Sequence, residues 1–244
     1  VRLISHVVVA GITTVSARTR IFPFASIGHE PQDLKYKGEE STLEIGENCT
    51  IREHVTMNPG TAGDNNRTVI GNNCVFLAGA HVAHDCVLGN NIIFSNSVMV
   101  AGHCKIADNV ILGGGAGVHQ FCRIGRLAMI GGMSGIPKDV PPFCTTKGAL
   151  GFLAGINVIG LRRAGVSAET RKALQNAFRV LFRSGHTLPN AITQVRQEWA
   201  GKGPLPAELE YMLSFCEQKS KRGIMTGRLA GSQQRRRADS VASI

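Results

Sequence analysis

Four histidines lie close together in the middle of the 244-residue chain, and a carboxylate directly follows one of them. They are His81, His84, His103 and His119, with Asp85 next to His84. An imidazole titrates near neutral pH and can act as a general base, while an adjacent carboxylate can orient the ring and stabilise its protonated form. Such a pair could deprotonate a hydroxyl nucleophile, and this is the chemistry that these residue types favour.

Clustered histidines can also bind zinc. The nearby Cys86, Cys104 and Cys122 are spaced by 18 residues at positions expected to face the protein interior, which is typical of packed free thiols rather than ligands. We therefore predict neither a metal nor a cofactor. The seven cysteines form no CxxC pair, and an odd number is a poor disulfide framework, so we expect a reducing, cytoplasmic location.

The elements that must position these histidines are visible as a six-residue repeat. An aliphatic or aromatic residue recurs at every sixth position across the middle of the chain: Ile70, Phe76, Val82, Leu88, Phe94, Val100, Ile106, Leu112, Val118, Ile124, Ile130 and Ile136. The same spacing relates Leu3, Val9, Val15, Ile21 and Ile27, and again Ile45, Ile51 and Met57. A period of six fits neither an amphipathic helix nor a hairpin. It predicts a left-handed parallel β-helix, in which each hexad forms one short strand and a corner.

Three hexads make one triangular coil of 18 residues, and coils stack at about 4.8 Å. On this register His84 lies above Gly102 and beside His103, while His119 lies above Ala101. Three of the histidines should therefore meet at one patch, with His84 projecting outward from the prism. Acyl transfer from a thioester to a hydroxyl needs no covalent enzyme intermediate, because the donor is already activated. Its remaining requirement is a donor for the oxyanion, which the backbone N–H of Gly102 could supply.

The pattern divides the chain into three parts. Residues 1–150 are predicted to form the β-helix, interrupted by polar loops at 28–42 and 58–69; the frame is already running at Val1, so earlier coils are expected to be missing. Residues 151–227 are predicted to form a C-terminal α-helical domain, in which Ser167 caps a helix that Gly185 ends. Residues 228–244 are predicted to be a disordered tail.

Charge is unevenly distributed along the chain. Residues 151–244 hold 15 Lys and Arg against 6 Asp and Glu, whereas residues 1–150 hold 12 against 11. A basic region attracts an acidic partner. Aromatic residues make up only 5% of the chain, so stacking platforms for nucleic acid are scarce and no nucleic-acid binding is expected. No apolar run reaches membrane-spanning length, so no membrane insertion is expected.

Several motifs carry a family resemblance. They are PQDLKY at 31–36, AHVAHDC at 80–86, VAGHC at 100–104, GVHQFCRIG at 117–125, GGMSGIPKDVPPF at 131–143 and GINVIGLRRAG at 155–165. In order and spacing they resemble the UDP-N-acetylglucosamine 3-O-acyltransferases of lipid A biosynthesis. The resemblance implies transfer of a 3-hydroxyacyl group from acyl carrier protein to UDP-N-acetylglucosamine by a homotrimer whose sites lie between neighbouring prisms. The basic C-terminal region would then attract the acidic carrier protein.

The resemblance also implies roles for individual residues. His84 would be the general base, Asp85 its partner, and Gly102 the oxyanion donor. The residues expected to position the sugar nucleotide and the acyl donor are His81, His103, His119 and Gln120. The residues expected to contact the amino sugar and the acyl chain from the first loop are Asp33 and Lys35, with Gln32 beside them.

Three further positions complete the implied site. Asn157 and Arg163 would hold the uridine diphosphate, and Gly132 would form the floor of the acyl groove and leave room for a long chain. The chain departs from the family pattern at Ile159, Ala164 and Asn58. These departures concern the details of nucleotide binding.

Two other functions fit parts of the pattern. One is a related hexapeptide enzyme, the UDP-acylglucosamine N-acyltransferase, which carries an N-terminal uridine-binding domain that is not visible here. The other is a non-catalytic β-helix scaffold that binds an anionic partner. A pure scaffold would have no reason to keep His84 and Asp85 beside Gly102.

Overall fold

The computed structural model describes residues 1–201 and 203–227, so the predicted tail lies outside the described residues. Twenty-two short strands and four helices are described. The parallel strands form three sheets that wrap into a left-handed parallel β-helix. The predicted fold class is confirmed.

The first sheet has nine strands: β1 (Arg2–Leu3), β4 (Arg20–Ile21), β7 (Thr50–Ile51), β10 (Val75–Phe76), β13 (Ile93–Phe94), β16 (Ile111–Leu112), β19 (Met129–Ile130), β21 (Cys144–Lys147) and β22 (Phe152–Ile156). The second has seven: β2 (Val8–Val9), β5 (Ser26–Ile27), β8 (Thr56–Met57), β11 (His81–Val82), β14 (Met99–Val100), β17 (Gly117–Val118) and β20 (Gly135–Ile136). The third has six: β3 (Ile12–Val15), β6 (Thr42–Ile45), β9 (Arg67–Ile70), β12 (Val87–Leu88), β15 (Lys105–Ile106) and β18 (Arg123–Ile124).

Strand pairing confirms the 18-residue coil. Each strand from β1 to β17 pairs with the strand three places later in the chain, as in Val75↔Ile93 and His81↔Met99. All twelve aliphatic and aromatic residues of the main series are buried, none more than 4% exposed. Leu3 and Val9 of the first coil are about half exposed, because only one coil packs on them.

Both loops are shorter than predicted. Residues 28–41 separate β5 from β6, and residues 58–66 separate β8 from β9. The strands β3, β6 and β9 are four residues long and pair in register, so the ends of both loops are drawn into the third sheet. The sequence pattern did not reveal this extension.

The C-terminal part begins later than predicted. β21 and β22 form an antiparallel hairpin that carries β structure to Ile156, beyond the expected boundary at 150. The helices follow: α1 (Val158–Arg163), α2 (Ala168–Arg183), α3 (Leu188–Trp199) and α4 (Ala207–Glu217). Ser167 caps α2 through a hydrogen bond from the Thr170 N–H, as predicted.

After α4 the chain returns to the β-helix. The Asp139 N–H donates to the carbonyl of Gly223, and the Met225 N–H donates to the carbonyl of Asp139. The Asp139 carboxylate accepts from Arg123 Nε at 2.7 Å. The segment after α4 is therefore anchored beside the coils that carry the histidines. Across 1–201 and 203–227, no helix is long and apolar enough to cross a bilayer.

Candidate active site

A cleft of about 1060 Å³ runs along the corner that joins the second and third sheets. It brings together nine of the predicted site residues: Gln32, Asp33, Lys35, His81, His84, Gly102, His103, His119 and Gln120. Asp85 lies directly behind His84, with its side chain fully buried. The loop that contains Asp33 therefore folds over the same corner as the histidines.

His84 and Asp85 form a hydrogen-bonded pair. His84 Nδ1 lies 2.8 Å from Asp85 Oδ2. A carboxylate oxygen can only accept here, so Nδ1 carries the proton and Nε2 is left as the basic nitrogen. The arrangement fixes the tautomer that a general base requires.

The corner geometry places these side chains. Asp85, His103 and Phe121 occupy the same position in three consecutive coils, and each has a positive φ of 57 to 66°. This left-handed conformation turns the chain sharply at each corner. His84 and Gly102 precede them and form the neighbouring column, as the His103 N–H bond to the His84 carbonyl at 3.0 Å shows.

His84 projects outward from the prism and lines the cleft, yet it is shielded from solvent. The residue is only 8% exposed. The 58–66 loop covers it: the Thr61 N–H and hydroxyl donate to Asp85 Oδ1 and Oδ2 at 3.0 and 2.6 Å. The pair is therefore shielded from water within one chain.

His103 forms a second pair beside the first. Its Nδ1 lies 3.1 Å from Asp64 Oδ2 on the loop and 3.7 Å from Asp85 Oδ2. Its ring stands perpendicular to His84 at 4.9 Å and stacks on Phe121 at 4.4 Å. Lys221 belongs to the segment after α4, and its ammonium nitrogen lies 4.3 Å from the centroid of the Phe121 ring.

Gly102 must be a glycine for the His84 ring to keep its place. A Cβ at this position would lie 2.5 Å from Cε1 and 2.6 Å from Nε2 of His84. The Gly102 N–H donates to no backbone or side-chain group among the described residues. A free N–H beside the basic nitrogen is what an oxyanion site needs.

His81 and His119 line the same cleft as the pair. Burial is the main cause that lowers the pKa of His81, and the neighbouring His84 lowers it further. Thr56 Oγ1 lies 2.7 Å from His81 Nδ1. His119 is more open, and its Nδ1 donates to the Gln120 carbonyl at 3.1 Å. Both imidazoles can offer a hydrogen bond to a molecule in the cleft.

His84, Asp85 and His103 are also close enough to share a metal ion, since their ligand atoms lie within 4.8 Å of one another. The Asp85 carboxylate and the Nδ1 atoms of both histidines already have internal partners: Asp85 accepts from Thr61 and His84, and His103 Nδ1 bonds Asp64. An ion would have to replace these hydrogen bonds. The contacts describe two histidine–carboxylate pairs.

Three predicted residues lie away from this cleft. Gly132 lies at the corner between the first and second sheets, next to Gly114. Asn157 caps α1 by accepting from the Gly160 N–H, and its amide donates to the Leu127 carbonyl. Arg163 is exposed at the end of α1.

The departures from the family pattern also have defined surroundings. Ile159 and Ala164 are exposed on or next to α1. Asn58 is 4% exposed, and its amide donates to the carbonyls of His29 and Glu30. Asn58 thus holds the base of the first loop.

Sequence reasoning missed Thr61, Asp64, Phe121 and Lys221. Phe121 could have been found, because it lies 18 residues after His103 and must stack on it. The other three contact the site through a loop and a terminal segment whose paths no periodicity defines.

Comparisons with known proteins fit this geometry. Residues 139–225 match the family model described as Udp N-acetylglucosamine O-acyltransferase, Domain 2, and residues 67–102 match the bacterial transferase hexapeptide model. The chain is 57% identical over 209 residues to the acyl-[acyl-carrier-protein]–UDP-N-acetylglucosamine O-acyltransferase of Methylobacterium radiotolerans, covering 86% of this chain and 75% of that protein. It is 53% identical to the protein of the same name from Azorhizobium caulinodans, covering 92% of this chain and 81% of the relative.

Solved structures give the same result. LpxA from Acinetobacter baumannii superposes with a TM-score of 0.86 at 46% identity, and LpxA from Bacteroides fragilis with 0.87 at 42%. Each alignment covers 91% of this chain and 85% of the other. At this identity and coverage, the chain belongs to the family of acyl-[acyl-carrier-protein]–UDP-N-acetylglucosamine O-acyltransferases.

Proposed function

We propose that this protein transfers a 3-hydroxyacyl group from acyl carrier protein to the 3-hydroxyl of UDP-N-acetylglucosamine, the first step of lipid A biosynthesis. The names of the relatives support the substrates and the reaction. The observation in the structure that carries the proposal is the His84–Asp85 pair beside Gly102 in the cleft.

The chemistry follows from the assigned tautomer. His84 Nε2 takes the proton of the sugar hydroxyl as its oxygen attacks the thioester carbonyl. Asp85 stabilises the imidazolium that forms, through the 2.8 Å contact with Nδ1. The Gly102 N–H donates to the oxyanion of the tetrahedral intermediate.

Collapse of the intermediate completes the transfer. The C–S bond breaks, and the departing thiolate takes the proton from His84. The products are the sugar ester and the carrier protein with a free thiol, and the base returns to its starting state. No covalent enzyme intermediate is required.

We propose that the remaining cleft residues bind the substrates. Asp33 and Lys35 lie on the loop over the cleft, where a carboxylate and an ammonium can contact the amino sugar and the acyl chain region, with Gln32 beside them. His81, His103, His119 and Gln120 line the same cleft from the coils and offer hydrogen-bonding groups. The coils would thus carry the chemistry.

We further propose a homotrimer in which a second copy completes the site. Gly132, Asn157 and Arg163 lie outside the cleft of their own chain, and a neighbouring prism could present them to it. Several apolar side chains are exposed on the outside of the coils, including Met99 at 57% and Met133 at 74%. A neighbouring prism could cover them. Light scattering on purified protein tests this, and a monomer at micromolar concentration would refute the shared site.

The basic C-terminal region is proposed to attract the acidic carrier protein, since exposed Lys221 reaches the rim of the cleft. All seven cysteines are free and buried, which supports a reducing, cytoplasmic location.

The decisive experiment supplies UDP-N-acetylglucosamine and 3-hydroxyacyl carrier proteins of several lengths and detects the product by mass spectrometry. An ester at the sugar 3-hydroxyl is expected. Absence of product with every donor, from a folded protein, would refute the proposed function.

A further inference from the structure

We infer that Thr61 is a positioning residue for the reaction, and that its hydroxyl decides which of two histidines the Asp85 carboxylate serves. The inference rests on the proposed function only for its kinetic test. The contacts themselves belong to the 58–66 loop, which the proposed mechanism does not use.

Thr61 makes two hydrogen bonds to one carboxylate. Its backbone N–H donates to Asp85 Oδ1 at 3.0 Å, and its hydroxyl donates to Asp85 Oδ2 at 2.6 Å. Thr61 is 3% exposed and Asp85 is 1% exposed, so water does not compete for these bonds. Together they fix the plane of the carboxylate.

Asp85 Oδ2 stands between two imidazoles. It is 2.8 Å from His84 Nδ1 and 3.7 Å from His103 Nδ1. Both nitrogens can donate to it, and a rotation of the carboxylate would exchange one partner for the other. The Thr61 hydroxyl holds Oδ2 in the position that serves His84, while Asp64 occupies His103 Nδ1 from the other side.

Thr61 is itself held firmly. Its carbonyl accepts from the N–H groups of both Asp64 and Asn66, at 3.3 and 3.2 Å, which closes a turn at this point of the loop. A β-branched side chain has few rotamers, so the hydroxyl has little freedom once the backbone is fixed. The threonine can therefore act as a rigid support for the carboxylate.

The test compares Thr61→Val, which removes the hydroxyl at nearly constant shape, with Thr61→Ser, which retains it. Thr68→Val is the matched control. Thr68 is fully buried on the strand that follows the loop, and its hydroxyl has no hydrogen-bond partner among the described residues. We expect Thr61→Val to lower kcat by about 10- to 100-fold, the range for losing a hydrogen bond to a charged group. KM for both substrates should change little, and Thr61→Ser and Thr68→Val should stay near wild type.

A double-mutant cycle separates positioning from loop structure. If Thr61 acts through Asp85, Thr61→Val should have almost no further effect in an Asp85→Asn background. Additive losses, or a loss confined to KM, would mean that the threonine only supports the loop, and would overturn the inference. Thr61→Ala serves if the valine variant is poorly folded, and it should show the same loss.

A readout without turnover distinguishes this inference from the proposed function. Nitrogen-15 NMR of the histidine side chains reports which ring nitrogen of His84 carries the proton. Thr61→Val should mix the two tautomers of His84, whereas Thr68→Val should not. An unchanged His84 tautomer in Thr61→Val would refute the inference, even if the wild-type enzyme is active. An inactive wild type, together with the expected tautomer change in the variant, would refute only the proposed function.

Discussion

The substitution Gly102→Ala gives a sharp test of the site, because it adds one carbon atom next to His84, the proposed base, and removes no functional group. The new Cβ would lie 2.5 Å from Cε1, 2.6 Å from Nε2 and 3.0 Å from Nδ1 of His84. Ordinary contacts begin at 3.4 Å, so the ring must retreat by about 1 Å. The Gly102 N–H, the proposed oxyanion donor, is unchanged.

The ring has little room for this movement. Its Nδ1 is bonded to a fully buried Asp85 carboxylate that Thr61 holds in turn, and the perpendicular His103 ring lies 4.9 Å away. A displacement of about 1 Å at a reacting group costs roughly 10²-fold in rate. We therefore expect Gly102→Ala to lower kcat by about 10²-fold.

The assay measures kcat and KM for both substrates together with the melting temperature. Gly155→Ala is the control, because a Cβ there meets nothing within 4 Å and its φ is not positive. The control should keep near-normal turnover. If Gly102→Ala also keeps wild-type kcat while folded, the base does not occupy the position described here, and the assignment of His84 fails.

Three other predictions follow from the same geometry. His84→Ala should lower kcat by about 10²- to 10⁴-fold without changing the oligomer, and a folded variant that keeps most of its turnover would make His103 the next candidate base. Gly132→Met should shift the preference toward shorter acyl donors, because the added side chain would occupy the proposed acyl groove; it can be accommodated, since a Cβ there meets only Gly114 atoms at 3.3 Å or more. An unchanged chain-length profile would show that Gly132 does not line the groove. Burial lowers the pKa of His81 in the folded state, so the unfolded chain takes up a proton first as the pH falls below about 6.5. The melting temperature should therefore fall in acid, and His81→Gln should reduce that fall. Calorimetry from pH 7.5 to 5 can check both results.

The β-helix and half of the site could be predicted because the repeat is strictly periodic. A fixed 18-residue coil converts sequence spacing into distance, so the neighbours His84, Gly102 and His103 follow from numbering alone. The pairing of each strand from β1 to β17 with the one three places later confirms that conversion. The same rule would have placed Phe121 on His103.

The rest of the site depends on chain segments that leave the repeat. Thr61 and Asp64 reach the histidines because the 58–66 loop folds back over its own corner, and no spacing rule specifies that path. Asn157 illustrates a second limit: its side chain is used within the chain, as the cap of α1 and as a donor to Leu127. To bind the nucleotide as well, the Asn157 amide would have to use hydrogen-bonding capacity that these two contacts leave free.

The corners of the β-helix explain how a solenoid can carry chemistry without losing stability. The residues that point into the prism are aliphatic or aromatic in every coil, so the core does not depend on which residues occupy the corners. At the corner between the third and first sheets the left-handed position holds Asn48, Asn73, Asn91 and Asn109 in the middle coils, a residue type that adopts positive φ readily, with Arg18 and Leu127 in the coils at either end. At the cleft the same position holds Asp85, His103 and Phe121 in successive coils. A phenylalanine gains nothing from this conformation by itself, whereas its stacking on His103 and Lys221 supports the second pair. At the cleft, the left-handed corner position therefore holds residues that contribute contacts to the site instead of the asparagine that suits the turn. The packing of the prism interior is the same in both cases.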